Sequence, residues 1–323
     1  MVTLLLSHQA AVRSMMDQIV EETVPPPSLL SEMCQHHLAA GGKGFRSSLC
    51  LSLCEALGAD PEDCLPAAVC LELVHRTSLV FDDIQDRTPE RNGQPALWEK
   101  YGMEQSLNAG LALSGCARMA LTKLTGPSLP EGVALRTLQI METSLVRLCW
   151  GQCLDLQQQN GGPPNLLEYL QMVRLKTGAL LGACCEVAGL LTGKMDPSLP
   201  KFGEQLGILF QYQDDYLGIW GDPEIVGKTP TDLVEGKRSL PVVVAHGLYP
   251  DGEVSQALSS KATERLHELV CREEVQVRTL KLVELQQQKT LRVLTALEET
   301  VSLPQEAVER LIDLVNFTAR REA

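Results

Sequence analysis

A net charge of −13 on a chain of 323 residues excludes a nucleic-acid partner, which would need a basic face. It leaves anionic small substrates open, because local charge and bound metals set the field at a site. The composition is 44% hydrophobic and only 4% aromatic. That supplies a sizeable core and, with Leu, Ala, Glu and Gln prominent, favours helix over strand.

The chain begins Met1-Val2-Thr3-Leu4-Leu5-Leu6, with no basic region, and turns polar at Ser7-His8-Gln9, unlike a secretory signal. Apolar residues then recur at spacings of three and four, the pattern of stacked helices. Turn signals at Pro25–Pro27, Gly58–Pro61, Gly126-Pro127, Gly161–Pro164, Asp196-Pro197, Gly221–Pro223, Pro250–Gly252 and Pro304 leave about a dozen helical segments. Asp60 and Asp196, each followed by proline, are expected to cap helices. Asn92-Gly93 follows a charged segment and is not expected to turn a hairpin. The run Gln286-Gln287-Gln288-Lys289 reads as a solvated helix face. No apolar run approaches the ~20 residues of a membrane span. Eleven cysteines without paired Cys-x-x-Cys motifs read as free, mostly buried thiols in a reducing cytosol, hence a cytoplasmic protein. The expected architecture is one all-α domain, residues 1–323, with no transmembrane segment.

Two clusters of acids stand out: Asp82-Asp83-Ile84-Gln85-Asp86 and Asp214-Asp215, each inside an apolar, helix-like stretch. Burying like charges side by side costs several kcal/mol unless a cation joins them. Mg²⁺ fits, since it takes a few carboxylates, keeps its waters and bridges to phosphate. Asp82 and Asp86, at i and i+4, share a helix face, and Asp83 lies about 100° around.

Together with further landmarks, the first cluster resembles the trans-isoprenyl diphosphate synthases over residues 30–245. These are Gly41-Gly42-Lys43-Gly44-Phe45-Arg46, the helix Leu73–Ile84, Gly151-Gln152-x-x-Asp155 and Lys176-Thr177. Phe210-Gln211-x-x-Asp214-Asp215-Tyr216-Leu217-Gly218, Gly227-Lys228 with Asp232, and Gly236–Pro241 complete the order. The resemblance implies an isoprenoid synthase fold, a helical bundle around a central prenyl-diphosphate cavity, assembled as a homodimer. It implies head-to-tail condensation of isopentenyl diphosphate with an allylic prenyl diphosphate. The candidate metal set is Asp82, Asp83, Asp86, Asp214 and Asp215. Two such helices facing each other would hold up to about three Mg²⁺ around the diphosphate, stabilising charge on the leaving group. By resemblance Asp82, Asp86 and Asp214 carry that role. Arg91 clamps the allylic diphosphate, with Lys176, Lys228 and Lys237 adding charge. Lys43, Arg46 and His75 form a second anion site for isopentenyl diphosphate. Gln211 and Thr177 aim oxygens at the carbocation, and the departing diphosphate accepts the proton.

Three positions depart from the family pattern: Asn92 stands for a second arginine, Gly44 for a basic residue, and Leu111 for an aspartate. All three fall on the second-substrate side. They keep two other readings open, a terpene cyclase that ionises one prenyl diphosphate and a noncatalytic partner subunit. Thr77 and Ser78, five and four residues before Asp82, are small. In the family a large aromatic there floors the product tunnel, so the expected product is C20 or longer.

Overall fold

The computed structural model describes residues 8–126, 128–159, 161–221, 236–249 and 252–320. As the apolar spacing predicts, these residues are overwhelmingly helical. Helices α1 (Gln9–Thr23), α2 (Leu29–Ala39), α3 (Phe45–Ala56) and α4 (Pro61–Asp86) lead. A two-stranded hairpin, α5 (Leu97–Tyr101) and α6 (Met103–Ala120) follow. Next come α7 (Val133–Gln159), α8 (Leu166–Val173), a π-helical turn (Arg174–Gly178), α9 (Ala179–Leu191) and α10 (Ser198–Trp220). Helices α11 (Leu240–Leu248), α12 (Glu253–Ser259), α13 (Thr263–Val270), α14 (Glu273–Val301) and α15 (Gln305–Arg320) complete the described chain. Close contacts gather into two compact units. One holds Met1–Leu145, Ala183–Pro200 and Thr300–Arg310; the other holds Val146–Gly182, Lys201–Glu299 and Leu311–Ala323.

In the first unit α4 is the central helix, packed on α6, α3 and α1. Asp60 caps it as expected, accepting from the Glu62 N–H at 2.9 Å, with Pro61 in the first turn. By length and composition alone α4 could cross a membrane, but most of it is buried inside the protein as a core helix. Gly110 on α6 permits close approach: a Cβ there would lie 3.0 Å from the Phe81 ring. Asp196 also caps, its carboxylate taking the Ser198 N–H at 2.8 Å as α10 begins.

The hairpin overturns another expectation. Strand β1 (Glu90–Arg91) pairs antiparallel with β2 (Gln94–Pro95), and Asn92-Gly93 turns between them. Both turn residues have positive φ, 51° and 77°, the conformation that the tightest two-residue turns demand and that Asn and Gly supply. The charged flanks hid it, because this hairpin has no apolar face to alternate.

In the second unit, glycines let backbones meet. A Cβ on Gly151 would sit 2.3 Å from the Lys176 nitrogen, and one on Gly207 2.7 Å from the Gly178 Cα. The π-helical turn therefore lies against α7 and α10 at two Cβ-free positions. Gln286 is buried, 7% exposed, and donates to the Gln205 carbonyl at 3.0 Å, so the expected solvated face is confined to Gln288 and Lys289.

Candidate active site

Asp82 and Asp86 sit on the last turns of α4, both partly exposed. Asp83 is turned inward and is 2% exposed. Arg91 locks it: Nε donates to both carboxylate oxygens at 2.9 and 3.0 Å, and Nη2 to Oδ1 at 2.5 Å. The same Nη2 lies 3.7 Å from Asp82. Burial works against the Arg91 charge, but Asp83, Asp82 and Asp86 outweigh it and hold its pKa above the usual value. The hairpin thus serves to bring a guanidinium back onto the helix that precedes it.

Two turns before Asp82 on α4, His75 lies among basic side chains. Burial pushes its imidazole well below the usual range, and the charges of Arg46, Arg76 and Arg91 push it the same way. It is therefore neutral at pH 7. Arg46, at the start of α3, is held near Glu72, and burial also lowers its pKa. Its Nε is buried and has no hydrogen-bond partner among the described residues. An oxyanion would satisfy it. Lys43, one turn before, is exposed. Thr77 is buried, and Ser78 donates back to the His75 carbonyl at 2.8 Å.

The second motif, on α10, repeats the division. Asp214 is exposed and Asp215 is 5% exposed. Asp215 accepts from the Tyr169 hydroxyl at 2.6 Å, the Leu240 N–H at 2.8 Å and Gln211 Nε2 at 2.8 Å. Gln211 Oε1 in turn accepts from Thr177 at 2.9 Å. Burial, and the carboxylate beside it, push the Tyr169 phenol well above the usual range, so it stays a donor. Lys176, in the π-helical turn, is fixed on Asp155 at 2.7 Å.

The family model for polyprenyl synthetase matches residues 27–274. The chain belongs to the polyprenyl synthetase family. Among curated relatives, a geranylgeranyl diphosphate synthase of Mycobacterium tuberculosis is 37% identical, the match covering 67% of this chain and 65% of the relative. A (2E,6E)-farnesyl diphosphate synthase of Mycobacterium bovis is 40% identical, over 64% of this chain and 58% of the relative. The chain thus spans less than two thirds of the length of these relatives. A solved polyprenyl synthetase from Streptomyces coelicolor superposes with a TM-score of 0.84 at 28% identity, covering 98% of this chain and 99% of that one.

The structure brings Asp82, Asp86 and Arg91 together in one unit, with His75 further back on α4 near Arg46 of α3. It brings Asp214, Gln211, Thr177 and Lys176 together in the other. Asn92 is exposed at the hairpin turn, and Lys237 is half-buried just before α11. Lys228 lies outside the described residues, as does Asp232. The sequence reading missed Tyr169, Glu72 and Arg76. For the last two a signal existed, an acid and a base at i and i+4 on α4. Tyr169 lies 46 residues from its partner Asp215 and carries no local signal.

Proposed function

We propose that this chain is a prenyltransferase that condenses isopentenyl diphosphate with an allylic diphosphate, head to tail, into a linear prenyl diphosphate. The observation that carries this reading is the division within each aspartate motif. Asp83 and Asp215 are buried and held by protein donors, whereas Asp82 and Asp86 are partly exposed and Asp214 is exposed. On this reading residues 1–323 work as one isoprenyl diphosphate synthase-like domain.

A hard divalent metal fits the donors. All are carboxylate oxygens, and Mg²⁺ is held by one or two of these plus substrate phosphates, without a protein cage. Asp82 and Asp86 would hold metal on the first motif and Asp214 on the second, up to about three Mg²⁺ in all. Bound there, the metal supplies Lewis-acid neutralisation of the leaving diphosphate. Arg91 stays on Asp83 and keeps positive charge behind the first motif. Lys176, Lys237 and Lys228 add charge for the allylic diphosphate. Thr177 and Gln211, ordered by their mutual bond, present fixed dipoles to the allylic cation. Lys43, Arg46 and neutral His75 bind the isopentenyl diphosphate, and the released diphosphate takes up the proton. With Mg²⁺ and both substrates, purified protein should release inorganic diphosphate and form a longer linear chain. Product from the allylic substrate alone, with isopentenyl diphosphate ignored, would replace this reading by a cyclase.

Small Thr77 and Ser78 support a product of C20 or longer; C15 as the sole product by chromatography would mean a deeper residue closes the tunnel. A second copy of the chain is proposed to cover the outer face of α6, where Met103, Leu107 and Leu111 recur every four residues, Leu111 at 71% exposure. Beside them Leu29 and Met33 of α2 line an open groove. Leu107→Glu with Leu111→Glu should convert a sedimenting dimer to monomer. Free thiols at all eleven cysteines, eight of them buried, support a reducing cytosol as the compartment.

A further inference from the structure

The Gly41–Gly44 turn, which carries Lys43 and leads into Arg46, rests on a buried ion pair that the proposed chemistry does not use. Arg76 and Glu72 lie at i and i+4 on α4, 6% and 2% exposed, with Nε 3.4 Å from Oε1. Arg76 Nη1 donates to the Gly41 carbonyl. Its guanidinium packs against the next residue: a Cβ on Gly42 would meet Nη2 at 2.4 Å. The other carboxylate oxygen of Glu72 accepts from the Ser47 backbone N–H at 3.4 Å and from its hydroxyl at 3.3 Å. One pair therefore reaches both ends of the segment, Gly41 before Lys43 and Ser47 after Arg46. Between these ends Gly41 and Gly44 take φ of 74° and 57°, left-handed conformations that glycine adopts without steric cost. His37 of α2 meets the Arg76 carbonyl at 2.8 Å, tying the support to a third helix.

A buried ion pair is a poor device for stability alone, since apolar residues of similar volume often serve as well or better. It is a good device for fixing one geometry. We propose that Glu72 and Arg76 are positioning residues that hold the Gly41–Ser47 segment so that Lys43 and Arg46 converge on the diphosphate of isopentenyl diphosphate. The inference rests on the reading of Lys43, Arg46 and His75 as the second anion site.

The test is steady-state kinetics of the full chain with each substrate varied in turn, alongside thermal unfolding. Arg76→Met should raise the KM for isopentenyl diphosphate about tenfold or more, because small misplacements of binding groups are costly. The KM for the allylic diphosphate and kcat should stay within about twofold. Arg76→Lys should recover only part, having no fork to reach both Glu72 and Gly41. The double variant Glu72→Leu with Arg76→Met removes both charges and is expected to fold; it should show the same selective rise in KM. An unchanged KM for isopentenyl diphosphate in a folded variant, or equal rises for both substrates, overturns the inference while leaving the functional reading in place. Wild-type protein with no saturable dependence on isopentenyl diphosphate overturns both.

Discussion

At the end of α4, Asp83 is held by a guanidinium; on α10, the hydrogen bonds to Asp215 include those from the Tyr169 hydroxyl, the Gln211 amide and the Leu240 N–H. In both motifs the second of two adjacent aspartates turns inward and the first faces out, as the ~100° step of a helix dictates. Arg91 makes the first lock an ion pair, 3% exposed on the acid side, whose halves depend on each other. Tyr169, Gln211 and the Leu240 N–H make the second a set of hydrogen bonds, each carrying a share. The outward carboxylates should therefore behave alike and the inward ones differently.

The largest effects are expected outside the locks. Asp82→Ala and Asp214→Ala should each cut turnover about a thousandfold or more, because ionisation loses its electrostatic support. Their melting temperatures should hold, since one crowded like charge is gone. Near-normal turnover in either variant would break the equivalence of the motifs. The locks should then separate on stability. Asp83→Ala strands a buried guanidinium and should cost about 3–5 kcal/mol. Tyr169→Phe removes one neutral donor from Asp215 and should cost about 1–2 kcal/mol. Urea unfolding of the two variants checks the ordering, and equal losses would erase the distinction.

Acid should weaken the surroundings of the first motif selectively. Burial pushes His37 down to about 4 from an ordinary 6.5, and His75 moves in the same direction. The unfolded chain therefore takes up these protons first as pH falls. Stability is full above pH 6.5 and is lost as the pH falls towards 4. For His37 alone the loss between pH 7 and pH 5 is about 2 kcal/mol. His37→Asn should flatten that part of a urea titration. The smallest effect is expected of Asn92→Arg. The added charge should lower the KM for isopentenyl diphosphate by about tenfold at most. Placing an arginine at φ 51° should cost about 1 kcal/mol of stability. An unchanged KM would show that the turn residue faces no substrate.

The α-helical fold was legible because apolar spacing, proline breaks and caps such as Asp60 are local. The site was legible as far as the aspartates and the basic landmarks, which stand in the sequence as types and spacings. Which aspartate of each pair is locked was not legible. That depends on Arg91 returning through a hairpin of charged residues, and on Tyr169 and Leu240, 46 and 25 positions from Asp215. The π-helical turn under Lys176 was hidden for the same reason, since Gly151 and Gly207 make room for it from distant helices. Asn92, read in the sequence as a lost charge, is explained by backbone geometry as a residue suited to a left-handed turn.

The central claim is the division of labour within each aspartate pair, and Mn²⁺ in place of Mg²⁺ tests it directly. Crystals grown with Mn²⁺ and inorganic diphosphate should show anomalous density on Asp82 and Asp86 and on Asp214. Arg91 should remain on Asp83, and Tyr169 on Asp215. Metal density on Asp83 with Arg91 displaced, or on Asp215 with Tyr169 displaced, would contradict the account.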